Sequence, residues 1–255
     1  MRHFVLLIAL FVAAQLFAQN KKYTTSNAHS HNDYEQARPF QMAYDQGFGS
    51  IEADVFLVDN NLLVAHESKN TNPAKTLRHL YLDPITEKII ENKGHIYPDK
   101  NKKLILLIDC KTEGHATIKE LINQLKDYPE IQKCKTLQIA ISGNRPVKEQ
   151  FYQYPRYIKF DGSLSILYKK KELRKIALMS ASFRNYSNWD GITEIDSKTL
   201  QRVHVEIRKA HQQKKPVRFW ATPDMPATWK FLMEAGVDFI NTDKINELSS
   251  FLKSY

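Results

Sequence analysis

Glu52 and Asp54 stand two apart in the apolar run 50–58. In a strand, residues two apart share a face. A carboxylate on the inward face of an apolar strand needs something to compensate its charge. A divalent cation would do so, and hard cations take oxygen ligands. Asp109 closes another apolar run, 104–109, and offers a third carboxylate. Three carboxylates with positions left open suit Mg2+ or Ca2+ better than Zn2+. A bland pairing of Glu52 or Asp54 with Lys111 or an arginine would also answer the charge.

Two histidines bracket the acidic pair, His31 before it and His66 after it. An imidazole exchanges its proton near neutral pH, so two of them can divide general base and general acid work. Cleavage of a phosphodiester needs that division, with a cation and a lysine, here Lys111, against the phosphoryl oxygens. One histidine alone is more often a structural residue. The signal lies in the order His…Glu-x-Asp…His…Asp-x-Lys. His29-x-His31 is also a zinc pattern of amidohydrolase-type barrels. The acidic pair on the next strand, and no further histidine pair later, weigh against that reading.

These groups need a frame that gathers sequence-distant strand ends. Short apolar runs at 25–28, 50–58, 104–109, 137–141, 158–161, 176–180, 217–220 and 239–242 read as strands buried on both faces. Helical patterns lie between them at 39–46, 115–125, 197–213, 227–235 and 245–252, with Ser197 as an expected N-cap and Gly236 as a C-cap. An extra short strand at 62–65 follows the turn Asp59-Asn60-Asn61. Alternating strands and helices predict an α/β fold with a parallel sheet. About eight strands in one domain over residues 20–255 predict a TIM-like (β/α)8 barrel, whose catalytic groups sit at the C-terminal strand ends. No dinucleotide or P-loop glycine pattern is present.

Residues 1–19 have a short basic head and an apolar run, the layout of a signal peptide, so export to the periplasm or medium is expected. The net charge of +9 admits anionic partners, including phosphate esters and a membrane surface. No zinc-finger, RNP or basic-zipper pattern supports nucleic acid. Cys110 and Cys134 read as two free thiols, because Cys110 falls in a buried strand pattern.

At these residues the chain resembles the phospholipase C-like phosphodiesterase superfamily, which includes the glycerophosphodiester phosphodiesterases. The segments carrying the likeness are 47–57 with Ile51-Glu52-Ala53-Asp54-Val55, 62–66 ending in His66, 104–111 ending in Asp109-Cys110-Lys111, and 236–243 ending in Thr242-Asp243. His29-Ser30-His31-Asn32-Asp33-Tyr34, with the block 76–84, is similar to the altered-inheritance-of-mitochondria phosphodiesterase-like subgroup. The resemblance implies His31 and His66 as catalytic residues and Glu52, Asp54 and Asp109 around one divalent cation. It implies Lys111, Trp220, Asn32 and Asp243 at the substrate, a phosphodiester or phospholipid head group. His31 is preferred to His29 for its spacing to Glu52. The chain departs from the common pattern: His-Arg-Gly and Glu-Asn-Thr are absent, and Glu67 and Lys244 replace Asp and Pro. Those departures keep a second reading open, a barrel that binds anionic head groups without turnover.

Overall fold

Leu104–Cys110 is buried on both faces except at Asp109, as a central parallel strand must be. It lies between Ser50–Val58 and Leu137–Gly143, paired in parallel with both. The computed structural model describes residues 22–255, and the expected leader lies outside them. In chain order the strands are β1 (Ala28–Ser30), β2 (Ser50–Val58), β3 (Asn61–Val64), β4 (Leu104–Cys110), β5 (Leu137–Gly143), β6 (Ile158–Ser163), β7 (Ile176–Ser182), β8 (Val217–Trp220) and β9 (Phe239–Thr242). β1 pairs with both β9 and β2, so eight parallel strands close into a barrel. β3 hangs antiparallel on β2 outside that ring. Asp59 and Asn60 both take positive φ, 45° and 60°, as the primed hairpin turn joining β2 to β3 requires.

The flanking helices are α1 (Gln41–Gln46), α2 (Asp83–Glu91), α3 (Gly114–Leu125), α4 (Pro129–Lys133), α5 (Lys170–Leu173), α6 (Ser197–Gln212), α7 (Pro226–Ala235) and α8 (Ile245–Ser254). α3 buries Ile118, Leu121 and Leu125 in the same core as outward-facing Leu104, Leu106 and Ile108 of β4. The expected TIM-like barrel is therefore present as one domain. Three local expectations need correction. Residues 25–27 form a 3-10 turn capped by Thr24, and β1 begins only at Ala28. Asp196 caps α6, its carboxylate accepting from Thr199 N, so Ser197 is the first helical residue and not the cap. α2, with the π turn Arg78–Leu82 before it, is a helix that the periodicity did not signal.

Strand parity divides the lumen into layers. Ile105, Leu107, Ala140, Ala177 and Leu178 form a small apolar cluster of their own, with Phe239 against it. Next to this plug, toward the C-terminal strand ends, lie Glu52, Asp161 and Arg218. Asp54, Asp109 and Ser142 share one level above them, paired across β2, β4 and β5. Cys110 and Cys134 are buried free thiols.

Candidate active site

The C-terminal strand ends surround a cavity of about 640 Å³ lined by His31, Glu52, His66, Asp109, Lys111 and Trp220, among others. Its acidic base comes from β2 and β4. Single ligand atoms of Glu52, Asp54 and Asp109 lie within 4.8 Å of one another, and this trio is the metal-capable cluster among the described residues. No histidine belongs to it, so a two-histidine zinc site does not form there. Gly143, at φ 66°, makes room for Asp109: a Cβ there would come within 2.4 Å of Asp109 Oδ1.

Each carboxylate has a different environment. Asp54 Oδ2 accepts from Tyr34 Oη at 2.8 Å and pairs with Lys111 Nζ at 2.9 Å. Its Oδ1 is buried with no hydrogen-bond partner. Burial, then the neighbouring Glu52 charge, pushes the Asp54 carboxyl up to about 6, against the pull of Lys111. Lys111 Nζ also pairs with Asp109 Oδ2 at 2.5 Å, bridging the two acids. An uncovered buried carboxylate oxygen beside two more carboxylates fits a hard divalent cation.

Glu52 is held from below. Arg218 Nη1 donates to Glu52 Oε2 at 2.5 Å and also to His29 Nε2. His29 Nε2 lies within hydrogen-bond reach of both Arg218 Nη1 and Glu52 Oε2, 2.9 Å from the latter, and its Nδ1 is 2.7 Å from Ser50 Oγ. Burial, then Arg218, pushes His29 down to about 3, so this ring is neutral. Burial works against the Glu52 charge, but Arg218 and His29 outweigh it and hold Glu52 well below the usual carboxylate range.

The two histidines of the first strand have separate places. His29 is fully buried with both ring nitrogens engaged, while His31 lines the cavity. His31 Nδ1 lies 2.8 Å from Asp243 Oδ1, and its Nε2 faces Glu52 Oε1 at 3.9 Å. Burial lowers His31, but Asp243 and Glu52 prevail and raise it above its ordinary value. His66 stands exposed on the cavity wall just past β3. Trp220 lines the cavity and remains 42 % exposed. Asp243 and Asn32, expected at the substrate, are not among the residues lining the cavity. Asp243 is turned to His31, and Asn32 Oδ1 lies 2.9 Å from Tyr34 Oη.

A family model described as AIM6-like phosphodiesterase domain matches residues 19–134. A second, described as Glycerophosphoryl diester phosphodiesterase family, matches residues 216–245. These matches support a glycerophosphodiester phosphodiesterase-like superfamily and, within it, a likeness to the AIM6-like group. Among relatives of that group, Altered inheritance of mitochondria protein 6 from Eremothecium gossypii is 29% identical, over 89% of this chain and 69% of that protein. The homolog from Arthroderma benhamiae is 24% identical, over 88% of this chain and 82% of its own length. The crystal structure of a glycerophosphodiester phosphodiesterase from Parabacteroides distasonis shares the fold, with a TM-score of 0.56 at 17% identity, covering 92% of this chain and 98% of that one.

Two site groups of this AIM6-like chain escaped the motif spacing. Arg218 brings an arginine to the site from β8. It stands two residues before Trp220 and so shares its strand face. Asp161 closes the run 158–161 and is 2 % exposed, lining the cavity with Ser142 and Ser180 as donors to its Oδ2. Neither fits a motif, because each is a buried charge answered by partners on other strands.

Proposed function

We propose that this chain is an exported, divalent-cation-dependent phosphodiester hydrolase acting on a glycerophosphodiester or a phospholipid head group. The observation that carries the reading is the carboxylate trio Glu52, Asp54 and Asp109, of which Glu52 and Asp109 line the same cavity as His31 and His66. The likeness to that family supports phosphodiester cleavage at the coarse level. Export rests on the sequence of residues 1–19 alone.

A cation held by the trio, Mg2+ or Ca2+, would supply positive charge against the phosphoryl oxygens. Lys111, at the cavity wall, adds a second positive charge. Asp243 holds the His31 proton on Nδ1 and leaves the Nε2 lone pair toward the cavity, the arrangement of a general base. His31 takes the proton of the attacking hydroxyl, and His66 gives one to the leaving oxygen. An attacking hydroxyl of the substrate itself yields a cyclic phosphate first; water yields a phosphomonoester directly. Trp220 gives an apolar wall for the head group.

The test is hydrolysis of bis(p-nitrophenyl) phosphate and a glycerophosphodiester panel by the chain stripped with EDTA, then given Mg2+ or Ca2+. Restored turnover that His31→Ala and His66→Ala each abolish supports the reading. Turnover retained in both variants contradicts the two-histidine mechanism. Lys111 bridging Asp54 and Asp109 favours one other reading. There the ammonium neutralises the acids, and the barrel binds anionic head groups without cleaving them. Binding of a head group with no turnover under any cation would select it.

A further inference from the structure

A second cavity, also about 640 Å³, opens at the opposite end of the barrel. Gly49, Ile105, Gln138 and Phe239 place it at the N-terminal strand ends. Lys102, Lys103, Lys159, Arg174, Lys214 and Lys215 stand around it, and no carboxylate lines it. Among the described residues none of these six cations forms an ion pair with a side chain. Lys159 Nζ donates to Arg174 O at 2.8 Å and Lys215 Nζ to Ile176 O at 2.7 Å, while Lys102 lies over the Tyr97 ring, 4.8 Å from its centroid. The nearby Asp238 carboxylate is occupied, accepting from Val217 N and facing His211 Nε2 at 2.7 Å. Burial, then Lys159, lowers Lys215, and burial, then Arg156, lowers Lys159.

Unanswered like charges around one concavity focus a positive potential that an anion relieves. A volume of this size suits a small molecule. The relief grows with the number of charges the anion carries. The apolar plug separates this end from the mouth. A head group held at the mouth therefore leaves the floor free for a soluble anion.

We propose that the barrel floor binds a small soluble polyanion carrying two or more phosphate groups, independently of whether the mouth is catalytic. Calorimetric titration of the full chain, cleared of divalent cations, with inorganic phosphate, pyrophosphate and tripolyphosphate tests it. The expected result is one-to-one binding that tightens from phosphate to tripolyphosphate and weakens steeply with salt. Lys103→Gln with Lys214→Gln, both exposed side chains with no side-chain partner, should weaken it at least about tenfold, an order of magnitude set by removing two charge contacts. Lys111→Gln at the mouth should leave it unchanged. No tripolyphosphate binding at low salt overturns the proposal. So does binding that survives the floor double variant and is lost in Lys111→Gln. Binding to vesicles of a polyphosphorylated lipid through the floor residues, with none to tripolyphosphate, would replace the free solute with a bilayer.

Discussion

The two ends of this barrel use charge in opposite ways. At the mouth Arg218 is answered by Glu52 and Lys111 by Asp54 and Asp109, while Arg145 stands on the same lining without an ion pair among the described residues. Acids and cations alternate there, and beside them Asp54 Oδ1 is buried without a hydrogen-bond partner. At the floor six cations share one cavity and have no carboxylate among its lining. Between the ends lies an apolar layer of small extent. One architecture thus separates a place for a cation from a place for an anion. Buried charge can be kept only where partners surround it, whereas half-exposed lysines can lean on carbonyls and water.

The comparison breaks first at Glu52. Glu52→Ala should remove turnover by at least about a thousandfold, because the cation loses a ligand. It should also cost about 3–5 kcal/mol of stability, because Arg218 is left buried with only the more distant Asp161, 4.0 Å away, as an acidic partner. Urea unfolding beside the phosphodiester assay measures both. A fall in activity with unchanged stability would mean that Arg218 finds another partner.

His31→Ala and His66→Ala come next, each lowering kcat by about 10²–10⁴-fold while the unfolding transition stays in place. Asp243 contacts His31 Nδ1, so Asp243→Asn acts on that ring. It should lower kcat by about ten- to hundredfold, with KM nearly constant and the acidic limb of the pH profile displaced. A change in KM alone would put Asp243 at the substrate after all.

Much of the mouth was legible in the sequence because strand parity is rigid. Glu52 and Asp54 had to share a face, and Asp109 had to reach the same level once β4 paired with β2. Arg218 and Asp161 were not legible, since a lone charge in an apolar run shows its partners only after the barrel closes. The floor was still less so. Lys102, Lys159 and Lys215 are scattered over more than a hundred residues, and nothing but the common origin of the strands brings them together. α2 was missed because its apolar residues Ile85 and Ile89 are too few to show a stripe.

The floor gives the smaller effects. Lys175, beside it, donates to Tyr154 O and Pro155 O, and burial, then Lys159, pushes it down to about 8. A lysine whose folded value lies below its unfolded one binds fewer protons when folded, so this residue's penalty fades as pH rises through about 8 toward 10.4. Wild type should therefore gain stability relative to Lys175→Met over that window, as urea titrations at several pH values would show. A constant difference would deny the crowding of positive charge at this end. Lys103→Gln with Lys214→Gln should change phosphodiester turnover less than about twofold, since surface changes far from a site act weakly.

The measurement closest to the central claim is calorimetric titration of Mg2+ and Ca2+ into the EDTA-stripped chain, with Asp54→Asn alongside and turnover followed in the same samples. One cation per chain, turnover rising with occupancy and both lost in Asp54→Asn, is the result expected of a mouth built to hold a catalytic cation. Turnover that proceeds without any cation, or cation binding that Asp54→Asn leaves untouched, would contradict it.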